Sequence, residues 1–111
     1  MQNHAYKIDL QDYTVNGVKN FNTRTWGIYV RNASKIDAIE SENEQIVIEI
    51  PADVSNINAS FLEEFLENVV VKLGSEGFRR RFTFESAGNY KIENHLEEAI
   101  SRILKEESVY A

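Results

Sequence analysis

Apolar and polar residues alternate near the start of the chain, where Tyr6, Ile8 and Leu10 are separated by Lys7, Asp9 and Gln11. Period two is the signature of a strand with one buried face. Next, Tyr13-Thr14-Val15 and Val18-Lys19-Asn20-Phe21 flank Asn16-Gly17. That dipeptide accepts positive φ at both centres of a tight turn, so an N-terminal β-hairpin is expected. Between Thr23 and Glu40 the period changes, with Trp26, Tyr29, Val30, Ala33, Ile36 and Ile39 recurring every three or four residues. This predicts one amphipathic helix, capped by the hydroxyl of Thr23 or Thr25. Ser41 to Glu44 reads as a turn, and Gln45 to Ile50, β-branched and stopped by Pro51, reads as a central strand covered on both faces.

The strongest helical pattern runs from Ser60 to Leu73, with Phe61, Leu62, Phe65, Leu66, Val69, Val70 and Leu73 in one apolar stripe and Gly74 as its stop. Ser60 and Glu63 have the spacing of a capping box, which makes Ser60 the expected N-cap. Phe78 to Glu85 alternates as a strand should, with Phe78, Arg80, Phe82 and Phe84 on one face and Arg79, Arg81 and Thr83 on the other, a charged face suited to a sheet edge. A last helix is predicted from about Asn89 to Glu107, burying Ile92, Leu96, Ala99, Ile100, Ile103 and Leu104. The order β-β-α-β-α-β-α describes one α/β domain over residues 1–111. Its expected form is a small mixed sheet of about four strands with three helices, the later strands parallel because helical crossovers join them.

Composition narrows the function. Apolar residues make up 42% of the chain and charged residues 27%, with one proline and five glycines, so the whole chain is expected to fold around one core. Cysteine is absent, which removes disulfides, thiolate nucleophiles and cysteine-ligated metal, and fits a reducing compartment. Met1 to Leu10 shows no basic segment followed by an apolar stretch, and no run of about 18 apolar residues occurs, so the protein reads as cytoplasmic, with no membrane role. A formal charge of −6 argues against nucleic acid. The basic run Arg79-Arg80-Arg81, placed in a strand, would point to alternate faces and form no single patch.

Little in the chain suggests chemistry. His4 and His95 lie far apart, and neither belongs to a metal-ligating spacing. His95 reads as a boundary histidine beside the buried stripe of the last helix. Glu63, Glu64 and Glu67 share a helix face, yet acidic residues in a first turn are favoured by the helix dipole alone. Phosphate loops, nucleophile elbows and dinucleotide fingerprints are missing, so neither an enzyme, a cofactor nor a metal is expected. The loop Pro51 to Ser60 remains, running from a central strand to the best helix, the place where ligands and partners meet parallel sheets. It offers hydroxyls at Ser55 and Ser60, and a helix N-terminus able to stabilise an anion. Ser60 acting only as a cap is the competing reading.

From Asn58-Ala59-Ser60-Phe61-Leu62-Glu63-Glu64-Phe65 through Val69-Val70-Val71-Lys72-Leu73-Gly74 and Phe78-Arg79-Arg80-Arg81-Phe82-Thr83-Phe84, the sequence resembles the STAS-like family of small bacterial proteins. Upstream, Arg24, Gly27 and Arg31 resemble that family's Arg-x-x-Gly-x-x-x-Arg element. The family is similar to STAS domains, the fold of anti-sigma-factor antagonists, in which a serine or threonine at the start of the second helix is phosphorylated by a histidine-kinase-like ATPase. The resemblance implies a non-catalytic regulatory module that docks a protein partner around Ser55, Asn58, Ser60, Phe61 and Glu64, with Arg24, Gly27 and Arg31 as further contact residues. One alignment places Ser60 at the phosphorylated position and another places Ala59 there. The usual Asp-Ser-Ser-Gly stretch is replaced by Asn58-Ala59-Ser60-Phe61. Two other readings stand beside this one. The same junction would serve a small anion- or nucleotide-binding domain. The surplus apolar residues Trp26, Ile28, Tyr29 and Val30 would suit a homo-oligomer.

Overall fold

The computed structural model describes residues 5–14 and 20–110, with the side chains of 107–110 left aside. Strand β1 (Tyr6–Asp9) leads into a 3-10 turn at Leu10–Tyr13 and a two-residue strand, β2 (Asn20–Phe21). Helices α1 (Arg24–Ser34) and α2 (Ile36–Glu42) precede β3 (Ile46–Ile50). After the short β4 (Asn56–Ile57) come α3 (Ala59–Arg81), β5 (Phe82–Ser86) and α4 (Glu93–Tyr110). The protein is thus α/β. Among the described residues there is no mixed sheet: β1, β3 and β5 form a parallel sheet in that order, and β2 and β4 form a second, two-stranded parallel pair. No helix among the described residues is long and apolar enough to cross a membrane.

Strand β3 lies in the middle of the larger sheet, as its β-branched run predicts, but it is not covered on both faces. Register aligns Tyr6, Ile46 and Phe82 in one row and Ile8, Ile48 and Phe84 in the next. Those rows face the helices, and Ile8, Ile46 and Ile48 are buried. The opposite face carries Lys7, Val47, Glu49, Thr83 and Glu85, exposed or half-buried, with Lys7 Nζ 3.3 Å from a Glu49 carboxylate oxygen. The charged residues Lys7, Glu49 and Glu85 keep that face in water.

The expected hairpin does not form among the described residues, and its Asn16-Gly17 turn lies outside them. Asp9 accepts a hydrogen bond from the Gln11 amide at 2.9 Å, and this side-chain bond to nearby backbone starts the 3-10 turn where a strand would have continued. Phe21 is fully buried, its ring 5.2 Å from that of Phe61, so β2 pairs with β4 and not with β1.

The single helix predicted over 23–40 is two helices. Thr23 caps α1, its hydroxyl accepting from the Trp26 amide at 3.0 Å. Gly27, Val30 and Ser34 form the buried face of α1. At about 100° per residue, Ile36 would fall on the opposite side of a continuous helix. Lys35 takes a left-handed conformation (φ 58°, ψ 38°), and this break turns Ile36 and Ile39 inward.

Helix α3 is broken at Gly74 (φ 75°, ψ 173°), the residue expected to stop it, and a further helical segment then runs to Arg81. Phe78 to Arg81 are therefore helical, not part of a strand, and β5 begins at Phe82. A spacing of four suits both periods, which is why Phe78 and Phe82 read as one strand face; in the structure their rings stack at 4.7 Å. Helix α4 starts at Glu93 and not near Asn89, and its predicted stripe is sound: Ile92, Leu96, Ala99, Ile100 and Ile103 are buried. Leu104 packs against that core from a partly buried position.

Arg81 shows what the helical end of α3 achieves. Its guanidinium donates to the Glu40 carboxylate and the Glu40 carbonyl, both at 2.6 Å, and also to the Asn43 and Glu44 carbonyls. Lys72 Nζ binds the other Glu40 oxygen at 2.8 Å. Burial pushes the Glu40 carboxyl up, but the hydrogen bonds and charges of Lys72 and Arg81 outweigh it and hold it below its ordinary value. Because the folded pKa is depressed, the stabilisation is fully present above the unfolded value and is lost as pH falls through the folded one. Glu40→Gln is expected to lower the unfolding free energy by roughly 2–3 kcal/mol at neutral pH. Urea melts repeated at descending pH should show that gap closing below about pH 4.

Candidate functional site

The candidate corner begins where β3 ends. Pro51 O accepts from the Val54 amide at 3.4 Å in a turn, Ser55 lies exposed in the loop, and β4 then pairs Asn56 and Ile57 with Asn20 and Phe21. This segment is tethered on both sides. Tyr90 Oη accepts from the Ile57 amide and donates to the Ile57 carbonyl, each at 2.9 Å. That use of Tyr90 keeps 89–92 out of α4.

The cap of α3 is Asn58, not Ser60. Asn58 Oδ1 accepts from the Phe61 amide at 3.1 Å, while its own amide groups donate to Phe21 O at 3.1 Å and Asn22 O at 3.0 Å. Asparagine one register earlier meets both the helix and β2, and only that register buries Ala59 and Phe61. Ser60 therefore falls inside the first turn, half-buried, and the expected Ser60–Glu63 box does not form.

Phe61 is fully buried against Phe21 and Phe65. It anchors the helix and offers no surface. Glu64 is half-buried at the α1–α3 contact, where Arg24 Nη1 reaches its carboxylate at 3.2 Å and Arg31 Nη1 donates to its carbonyl at 2.7 Å. Gly27 completes the row. A Cβ there would lie 2.5 Å from Phe61 O and 2.9 Å from Glu64 Cβ. Arg24, Gly27 and Arg31 do share one face of α1, and that face is turned to α3.

Ser60 meets residues the sequence did not single out as a site. With Asn58, Ala59, His95, Glu98 and Arg102 it lines a crevice of about 230 Å³. Positions 95, 98 and 102 share one helix face next to the buried stripe of α4, a signal visible in spacing. That this face lies over the first turn of α3 is not visible there. A second crevice, of about 290 Å³, is lined by Arg24, Glu63, Arg102, Lys105 and Glu106. Glu63, only 6% exposed, sits between two arginines, with Arg24 Nη1 at 3.1 Å and Arg102 Nη1 at 3.0 Å. The hydrogen bond and charge of Glu63 raise Arg24 above its ordinary pKa, and Glu64 adds to the effect. A larger groove, about 550 Å³, runs between β5 and the start of α4 and contains none of the sequence-derived site residues. Among the described residues, no group of His, Asp and Glu is placed to hold a metal ion.

No family model, curated protein or solved structure matches this chain. Local geometry is therefore what bears on function.

Three substitutions test the corner. Gly27→Ala forces α1 away from α3 and is expected to cost about 1–3 kcal/mol in chemical denaturation. Asn58→Ala should cost about 1 kcal/mol, whereas Ser60→Ala, which leaves the cap intact, should stay within about 0.5 kcal/mol.

Proposed function

We propose that this chain is a STAS-like regulatory module, without catalysis of its own, that docks a protein partner around the corner formed by the loop before α3 and the first turn of that helix. In this reading Ser60 is the switch, and the partner is a histidine-kinase-like ATPase of a bacterial cytoplasmic signalling system. One observation carries it: Asn58 has taken over the cap, so the Ser60 hydroxyl is free of that duty and borders an open crevice in the first helical turn. Ala59 is 5% exposed and has no hydroxyl, which favours Ser60 over the alternative alignment.

Phosphorylation would form a bond between Ser60 Oγ and the γ-phosphorus of a nucleoside triphosphate held by the kinase. The bond from that phosphorus to the bridging oxygen breaks, the diphosphate leaves, and the hydroxyl proton passes to a base of the kinase. The product adds about −1.5 to −2 charges at a helix N-terminus, a position whose dipole tolerates them. Close to Glu63, Glu64 and Glu98, that charge would repel an acidic partner surface. A free small anion as the natural ligand is less well supported, because it would have to displace Glu98 from Arg102 without the covalent tether that holds a phosphate on Ser60 in the crevice.

Affinity capture from the native cell is expected to recover an ATPase of the histidine-kinase type, and that ATPase with ATP should phosphorylate Ser60 and leave Ser60→Ala unmodified. Failure to recover such a partner, or modification elsewhere, would reject the reading. Thermal shift against nucleotides and inorganic phosphate is expected to stay flat; a true ligand at a hundred times its Kd would stabilise by about 2.7 kcal/mol.

A further inference from the structure

Arg102 lines both crevices, the one at Ser60 and the one at Glu63. Its guanidinium is divided between two carboxylates: Nη1 donates to Glu63 at 3.0 Å, and Nη2 donates to Glu98, four residues back on α4. These partners are not equivalent. The Glu63 side chain is 7% exposed and holds Arg24 on its other oxygen at 3.1 Å, so losing Arg102 would leave one oxygen of a buried carboxylate unpaired, which is costly. The Glu98 side chain is 47% exposed, so water can replace the arginine there at little cost. One arm of Arg102 is therefore fixed and the other is exchangeable. The exchangeable arm points to the residue that shares a crevice with Ser60.

A phosphoserine dianion is a stronger and more forked acceptor than one solvated carboxylate. Taken with the reading of Ser60 as the modified residue, on which this inference rests, the geometry points to Arg102 as the receiver of a phosphate on Ser60. Its Nη2 trades Glu98 for a phosphoryl oxygen while Nη1 stays on Glu63. His95 lines the same crevice. The exchange ties α4 directly to the first turn of α3 and sets the Glu98 carboxylate free at the surface. A partner would then meet a rearranged charge pattern spanning two helices, without any change of fold.

The test uses the full chain carrying phosphoserine at position 60, introduced by genetic incorporation, with the second phosphate ionisation followed by ³¹P NMR. A guanidinium in contact favours the dianion, so Arg102→Gln should raise that pKa by about one unit relative to the native residue. Arg102→Lys, which keeps charge but not the fork, should fall between them. Identical titrations of the native and Arg102→Gln chains would overturn the proposal. They would leave phosphorylation of Ser60 itself standing, since that fails or succeeds separately with the kinase. Should Arg102→Gln not fold, the ¹⁵Nη resonances of Arg102 in the otherwise native chain decide: movement on phosphorylation supports the exchange, and unchanged resonances reject it.

Discussion

At Gly27 the backbone of α1 comes so near to α3 that one added carbon would lie 2.5 Å from the Phe61 carbonyl oxygen. Only a residue without Cβ permits that approach, and much of the candidate site depends on it. It brings Arg24 and Arg31 within reach of the Glu64 side chain and carbonyl, and it allows Arg24 to meet the buried Glu63. The spacing of Arg24, Gly27 and Arg31 thus describes a helix-helix seam. The position of the first turn of α3 is set by α1.

Two buried carboxylates fix the remaining elements around α3. Glu40 draws in Lys72 and Arg81, and the same arginine holds carbonyls at the end of α2. Glu63 draws in Arg24 from α1 and Arg102 from α4. A carboxylate in an apolar layer is tolerable only with such partners, and each partner can reach it from one arrangement of helices. These pairs therefore select one packing among those the apolar stripes would allow. They also leave the first turn of α3 with an uncommitted hydroxyl at Ser60 beside an arginine that can exchange one of its partners.

Tyr90 adds a different kind of constraint. By bonding both polar groups of Ile57, it satisfies a short strand that has only one neighbouring strand among the described residues, and it delays the start of α4. The loop that the sequence presents as a free, polar stretch is held by β2, by Tyr90 and by the Asn58 cap. Its exposed portion narrows to the turn containing Asp53 and Ser55.

Local periodicity was enough to establish the α/β character, the central place of Ile46 to Ile50, the stripes of α3 and α4 and the break at Gly74, and it narrowed the cap of α1 to Thr23 or Thr25, between which the structure chose Thr23. Each of these depends on residues within a few positions of one another, where helix and strand geometry act directly. The break at Lys35 was half legible, since Ile36 is out of phase with Gly27 and Val30. Helical structure at Phe78 to Arg81 was not legible, because a spacing of four serves both periods and Arg81 commits only when Glu40, 41 positions away, is at hand. Ser60 and Asn58 are both good caps by type; contact with β2 and burial of Ala59 chose between them. The crevice joining Ser60 to His95, Glu98 and Arg102 belongs wholly to the tertiary structure. Arg102 and Glu63 are 39 residues apart, and only the packing of α4 on α3 brings them together.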